Sequence, residues 1–133
     1  MTGVIVATHG EFGNSLLSTL RMVLGEIEGM DSIALLPEDS MEIFQAKMEK
    51  ALGKVDPDGT GALVLVDMLG GTPFNVAIQM SQKRKLEVVT GVNLPMLIKV
   101  SSDREEADLK LLASETQKAT RESIVTSVEL FKK

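Results

Sequence analysis

The sequence predicts an open α/β fold, with one mostly parallel sheet covered by helices on both faces. Three observations predict it. Short apolar, β-prone runs alternate along the chain with stretches of helical periodicity, the pattern of βαβ units. The run 62–66 (Ala62-Leu63-Val64-Leu65-Val66) is apolar at every position, as a strand buried on both faces of a parallel sheet must be. The connections are short, and short right-handed crossovers leave mainly a doubly wound, flavodoxin-like arrangement in a single domain.

Each element follows from local chemistry. Strand 1 is expected over 3–8, where Gly3-Val4-Ile5-Val6-Ala7-Thr8 is broken by His9-Gly10. A helix over 13–25 places Leu16, Leu17, Leu20, Val23 and Leu24 on one face. Strand 2 covers 32–36 and is stopped by Pro37. Asp39 and Glu42 have capping-box spacing for the next helix, which buries Ile43, Phe44, Ala46, Met48, Ala51 and Leu52. A surface turn over 56–61 leads into strand 3 at 62–66. Thr72 is expected as an N-cap with Pro73 as the first helical residue, and that helix runs to Gln82. Strand 4 covers 86–90 and is broken by Gly91-Val92-Asn93-Leu94-Pro95. A short helix follows over 95–100. A second capping box, Ser102 to Glu105, opens a helix to Thr120. The tail 123–131 alternates enough for a strand, with Ile124, Val125, Val128 and Leu130 apolar, and fits a helix nearly as well.

The totals narrow the function. The chain has 133 residues, 44% hydrophobic and 25% charged, ordinary values for one globular domain. Its net charge of −5, without a basic cluster, argues against nucleic acid as a partner. There is no cysteine, so disulfide and thiol chemistry are absent. One histidine without cysteine offers too few nitrogen or sulfur ligands for a metal site. No basic leader precedes the first strand, and no apolar run approaches the ~20 residues of a membrane span. The cytoplasm is the expected compartment.

The chemistry concentrates at one sheet edge. Side chains beyond the carboxyl ends of parallel strands line the crevice of a doubly wound sheet. Three loops belong there: Thr8-His9-Gly10, Asp67 to Asn75, and Gly91 to Pro95. His9 is the only histidine, and an imidazole serves as nucleophile, base or metal ligand. If strands 1 and 3 are neighbours, Asp67 reaches His9. A carboxylate accepting one ring N–H fixes the tautomer and frees the other nitrogen as a nucleophile. Gly70-Gly71 exposes backbone amides and admits a bulky group, and the helix N-terminus at Thr72-Pro73 favours an anion. Together these parts make a site for a phosphorylated histidine. Singly, each has a plainer reading: a solvated histidine, a turn aspartate, ordinary capping.

The motifs resemble a known family. Thr8-His9-Gly10 followed by a Leu-rich amphipathic helix resembles the start of the mannose-family enzyme IIA domain of the bacterial sugar phosphotransferase system. Val66-Asp67-Met68-Leu69-Gly70-Gly71-Thr72-Pro73-Phe74-Asn75 resembles its second signature, and Thr90-Gly91-Val92-Asn93-Leu94-Pro95-Met96-Leu97 its third. The likeness extends over essentially the whole chain, 1–133. It implies a phosphocarrier without cofactor or metal. His9 would accept a phosphoryl group on Nε2 from the phosphocarrier HPr. It would pass the group to an enzyme IIB histidine, and IIB would phosphorylate the sugar entering through membrane components IIC and IID. Asp67 would hold Nδ1–H, and Thr72 would contact the phosphoryl group with the backbone at Gly10, Gly70 and Gly71. Phe12, Leu69, Phe74 and Met96 would form an apolar docking rim. The resemblance also implies a homodimer in which an antiparallel C-terminal strand, near 123–131, is exchanged. Two departures stand out. Better-known members carry Trp where this chain has Leu69, and some continue into a fused IIB domain, which is expected here as a separate polypeptide.

Three rivals have distinct signatures. The phosphotransfer subunit of dihydroxyacetone kinase is related, but Gly70-Gly71-Thr72-Pro73 favours the sugar-transporter branch. A receiver-like signalling domain would be phosphorylated on Asp67, and would need an acidic Mg²⁺-binding pair after strand 1, where this chain has Thr8-His9. The third is a non-catalytic ligand-binding domain, for which the absence of a GxGxxG or GxxxxGK element leaves nucleotide binding without positive evidence.

Overall fold

The computed structural model describes residues 1–132. Four strands, β1 (Gly3–His9), β2 (Met30–Leu35), β3 (Ala62–Val66) and β4 (Leu86–Thr90), form one sheet in the order β2-β1-β3-β4. All three pairings are parallel. Position in the sheet explains the composition of each strand. Central β3 is buried at every residue, and central β1 from Gly3 to Thr8. Edge strands β2 and β4 are only intermittently buried. Strands 3 and 4 match the expected limits. Strand 1 includes His9, and strand 2 starts earlier, at Met30.

The crossover helices are α1 (Phe12–Leu24), α2 (Met41–Val55) and α3 (Gly71–Ser81), and α4 (Leu94–Asp103) and α5 (Leu109–Glu122) follow β4. Period-two alternation divides the strand side chains between two cores. Val4, Val6, Leu63 and Leu65 pack with Leu17 and Leu20 of α1, Met96, Leu97 and Val100 of α4, and Leu112 of α5. Ile5, Ala7, Val64 and Val66 pack with Phe44, Met48 and Leu52 of α2 and with Val76 and Ala77 of α3. The doubly wound, single-domain α/β expectation is therefore met. No described helix is long and apolar enough to cross a membrane.

The helix ends depart from the sequence reading in four places. Ser40, not Asp39, caps α2, accepting from the Ile43 N–H at 3.2 Å. Asp39 is already engaged by the preceding turn, where its carboxylate accepts from the Leu36 N–H. Gly70, not Thr72, occupies the N-cap of α3. Ser102-Asp103-Arg104-Glu105 closes α4 instead of opening a helix, and Asp108 caps α5. The cause is Arg104, which is drawn under the sheet to bind backbone carbonyls. The tail is not a strand: Thr126 caps a short helix, α6 (Ser127–Phe131), accepting from the Glu129 N–H. β4 consequently remains an open edge within this chain. Helical faces are also narrower than expected, since Val23, Leu24, Ile43 and Ala46 are exposed.

Arg104 is buried, and its guanidinium donates to the carbonyls of Thr2 (2.9 Å), Gly29 (3.0 Å) and Glu28. It thus ties the start of β1 to the turn before β2. Burial pushes its pKa down from the usual arginine range. Replacing Arg104 with Met leaves three carbonyls without this donor. We expect a loss of about 3 kcal/mol in urea unfolding; an unchanged unfolding midpoint would refute this role.

Candidate active site

The sheet order reverses between β1 and β3, because β1 leads outward to β2 while β3 leads the opposite way to β4. A doubly wound sheet opens its crevice at such a switch point. The register Ala7↔Val66 brings His9 and Asp67 together just past this pair. Alternation along β1 puts His9 on the side of Ile5 and Ala7, the side covered by α2 and α3.

Oδ2 of Asp67 accepts from the His9 backbone N–H at 3.0 Å and lies 2.8 Å from Nδ1 of the ring. An ionised carboxylate only accepts, so Nδ1 carries the proton and Nε2 of the neutral ring is left with its lone pair. The His9 side chain is 46% exposed and that of Asp67 only 15%. The imidazole is therefore open to a partner, while its support is sheltered. Oδ1 of Asp67 is buried without a protein partner among the described residues.

The ring faces the start of α3. A Cβ built on Gly71 would lie 3.1 Å from Cε1 and 3.3 Å from Nε2 of His9. Gly71 also has φ +83°, a left-handed conformation that favours glycine. Gly70 caps α3 without a side-chain hydrogen bond, so the first-turn N–H groups have no side-chain cap. Thr72 sits half-buried in that first turn. Next to His9, the Gly10 N–H donates to the Leu35 carbonyl at 2.8 Å, anchoring the loop to β2. His9, Asp67 and Gly71 are thus in contact, with Gly70 and Thr72 next to Gly71 in the chain, whereas the expected Gly10 N–H contact is already taken by the Leu35 carbonyl. No cluster of three or more His, Cys, Asp or Glu groups able to hold a metal occurs among the described residues.

The expected rim divides. Phe12 and Leu69 are exposed, at 49% and 73%. Phe74 is half-buried against the core beneath α2 and α3. Met96 is 1% exposed and belongs to the opposite core, so it is not a rim residue. Its position beside the Asn93 cap points it inward on α4, which the motif did not reveal. Met68, exposed between Asp67 and Leu69, went unnoticed in the sequence.

A second polar group went unnoticed as well. Lys47 donates to Oδ2 of Asp39 at 2.6 Å and to the Ala34 carbonyl at 2.9 Å. This bracket holds the end of edge strand β2, whose Leu35 carbonyl anchors Gly10. The hydrogen bond from Lys47, then that from the Leu36 N–H, holds the Asp39 carboxyl below the usual carboxylate range.

A family model described as "PTS system fructose IIA component" matches residues 3–117. The chain belongs to this enzyme IIA family. It is 31% identical to the fructose-specific EIIA component of Bacillus subtilis (strain 168), over 100% of this chain and 91% of that protein. It is 37% identical over 118 residues to the mannose-specific EIIAB component of Escherichia coli (strain K12), covering 85% of this chain but 36% of that relative. Among solved structures, the EIIA component from Streptococcus agalactiae superposes with a TM-score of 0.86 at 29% identity, covering 95% of this chain and 97% of that one. The mannose/sorbose-specific IIA subunit from Enterococcus faecalis gives 0.85 at 28%, covering 94% and 93%. This enzyme IIA is accordingly a phosphotransferase component of the sugar phosphotransferase system, and these matches do not favour the kinase-subunit or receiver readings.

Two predictions follow from the geometry. Gly71→Ala crowds the His9 ring and strains a left-handed backbone; it should destabilise the fold by about 1 kcal/mol and displace the His9 ring resonances in NMR spectra. An unaltered ring environment would contradict the contact. For Asp39, whose pKa is depressed by folding, the stabilisation is present above the ordinary carboxylate range and is lost as pH falls through the lower folded value. Asp39→Asn should therefore be less stable than wild type at neutral pH, with the gap closing in acid. Urea titrations across that range would show a pH-independent gap if the argument is wrong.

Proposed function

We propose that His9 is the phosphoryl carrier of this enzyme IIA, charged by phospho-HPr and discharged to an enzyme IIB histidine, which then phosphorylates the transported sugar. The observation that carries the reading is the Nδ1–Asp67 Oδ2 distance of 2.8 Å, with Nε2 facing the uncapped start of α3. The Nε2 lone pair attacks phosphorus, the bond between phosphorus and its donor breaks, and that electron pair stays with the donor. The ring becomes cationic as the N–P bond forms, and the Asp67 carboxylate stabilises that charge. Phosphoryl transfer needs alignment and charge stabilisation more than covalent machinery. The helix N-terminus, the Thr72 hydroxyl and the backbone N–H groups of Gly70 and Gly71 supply donors for the three oxygens. Transfer to IIB is the same step in reverse, with Nε2 as leaving group.

Exposed Phe12, Met68 and Leu69 lie within three residues of His9 or Asp67 in the chain and support docking of both partners on one face. The net charge of −5 suits a donor with a basic face. A homodimer belongs to the same reading: β4 is an open edge, and Ile124, Val128, Leu130 and Phe131 of the tail are exposed. The relay operates in the cytoplasm, reaching the membrane only through IIB with IIC and IID.

The test is labelling from phosphoenolpyruvate through enzyme I and HPr, read by mass spectrometry at neutral to alkaline pH. Wild type should gain one phosphoryl group only when HPr is present, and folded His9→Ala should gain none. Asp67→Asn should retain the site but slow transfer, by up to about 10⁴-fold if the wrong tautomer is as costly as in a Ser-His-Asp triad. Labelling of His9→Ala would overturn the assignment, and an undiminished rate in Asp67→Asn would remove the orienting role.

A further inference from the structure

We propose that Thr8 is a positioning residue for phosphoryl transfer, its buried hydroxyl closing the loop that carries His9. The inference rests on His9 being the phosphoryl carrier. Thr8 and His9 are consecutive in β1, so their side chains leave the sheet on opposite faces. His9 emerges toward α3. Thr8 goes beneath α1 and is fully buried. There its Oγ1 accepts from the Gly13 N–H at 2.7 Å.

That bond fills a gap in the helix. The first N–H groups of a helix have no partner within it, and a side chain at the N-cap ordinarily satisfies one. Glu11 holds the N-cap of α1 but makes no such bond. Thr8 supplies the acceptor instead, from the preceding strand. The contact is close-fitting: a Cβ at Gly13 would lie 3.0 Å from Thr8 Oγ1 and 3.1 Å from Val6 Cγ1. Glycine at this position lets the helix start approach the strand end.

The segment between Thr8 and Gly13 is thereby clamped at both ends, with His9 inside it. Two further bonds complete the support. The His9 N–H donates to Asp67, and the Gly10 N–H donates to the Leu35 carbonyl. The backbone that carries the imidazole is thus tied to the ends of β3 and β2 and to the start of α1. Asp67 and Leu35 restrain it within the sheet layer. Thr8 ties its strand end to α1, while Glu11 at its far end accepts from the Ser15 N–H and the Asn14 side chain. Without the hydroxyl the residue next to His9 loses its bond to the helix start, and a displacement of 1 Å in a reacting group costs on the order of 10²-fold in rate.

Thr8→Val removes the hydroxyl at nearly constant shape, and Thr8→Ser keeps it. The measurement is single-turnover phosphorylation of His9 across a range of phospho-HPr concentrations, together with the His9 ring N–H resonance of the unphosphorylated protein. Thr8→Val should lower the maximal rate about tenfold, leave the half-saturating donor concentration unchanged, and broaden the Nδ1–H signal. Thr8→Ser should restore both rate and signal. A folded Thr8→Val with the wild-type rate and ring signal would overturn the proposal, as would a Thr8→Ser variant as slow as Thr8→Val. Should Thr8→Val fail to fold, amide exchange in the wild type decides: protection at Gly13 supports the clamp, and unprotected exchange refutes it. Failure of the wild type to accept phosphate from a competent HPr would count against the carrier reading itself. The ring signal and Gly13 exchange would still show whether Thr8 holds His9.

Discussion

One carboxylate oxygen organises the crevice. Oδ2 of Asp67 accepts from both the backbone N–H and the ring Nδ1 of His9, so a single atom sets where the residue sits and which way its imidazole turns. This arrangement requires β1 and β3 to be neighbours in parallel register. The doubly wound order supplies that, because its two halves diverge from these strands. Remote parts of the structure, including the buried apolar faces of β3 and the helices that cover them, serve to keep those two strand ends in step.

The two ends of the sheet are treated differently. At the amino end, Arg104 alone gathers the carbonyls of Thr2, Glu28 and Gly29. At the carboxyl end, the polar groups are spread over loops. Asp39 and Lys47 hold the β2 end, Thr8 holds the α1 start, and Asp67 holds the β3 end. Each bond involves a side chain that is wholly or largely buried, while His9 itself stays accessible. The result is a frame of bonds around one open imidazole. The proposed relay, meeting two proteins in turn, would need both properties. Alignment supplies rate, and exposure lets each partner reach the same nitrogen.

The apolar residues near the site show how similar side chains acquire different tasks. Leu69 and Met96 both lie in motifs shared with the enzyme IIA family. Leu69 follows β3 into a loop with no helix above it and is exposed, whereas Met96 follows the Asn93 cap and turns into the core. Composition cannot separate them. The deciding factor is whether another element packs over the position.

The order of strands and helices, the central place of 62–66, and the meeting of His9 with Asp67 were all legible in the sequence, because apolar periodicity and strand-end position carry that information locally. The long glycine-threonine-proline motif was legible as a helix start for the same reason. Its cap was not, since Gly70 rather than Thr72 takes that place, with both Gly70 and Gly71 in the left-handed region that lets the helix start early. The break between α4 and α5 was hidden because it depends on Arg104 reaching carbonyls distant in sequence. The tail satisfied strand and helix patterns almost equally, and local capping by Thr126 settled 127–131 as helix. Thr8 was legible as the last residue of a strand and the first of the Thr8-His9-Gly10 motif, but with no task of its own. Its task exists only where a helix start comes within hydrogen-bond distance of a buried hydroxyl. Residue pattern by itself determined what this chain is built from and where its chemistry gathers. The tertiary structure alone decided which groups hold that chemistry in place, because those contacts join parts of the chain that no local pattern connects.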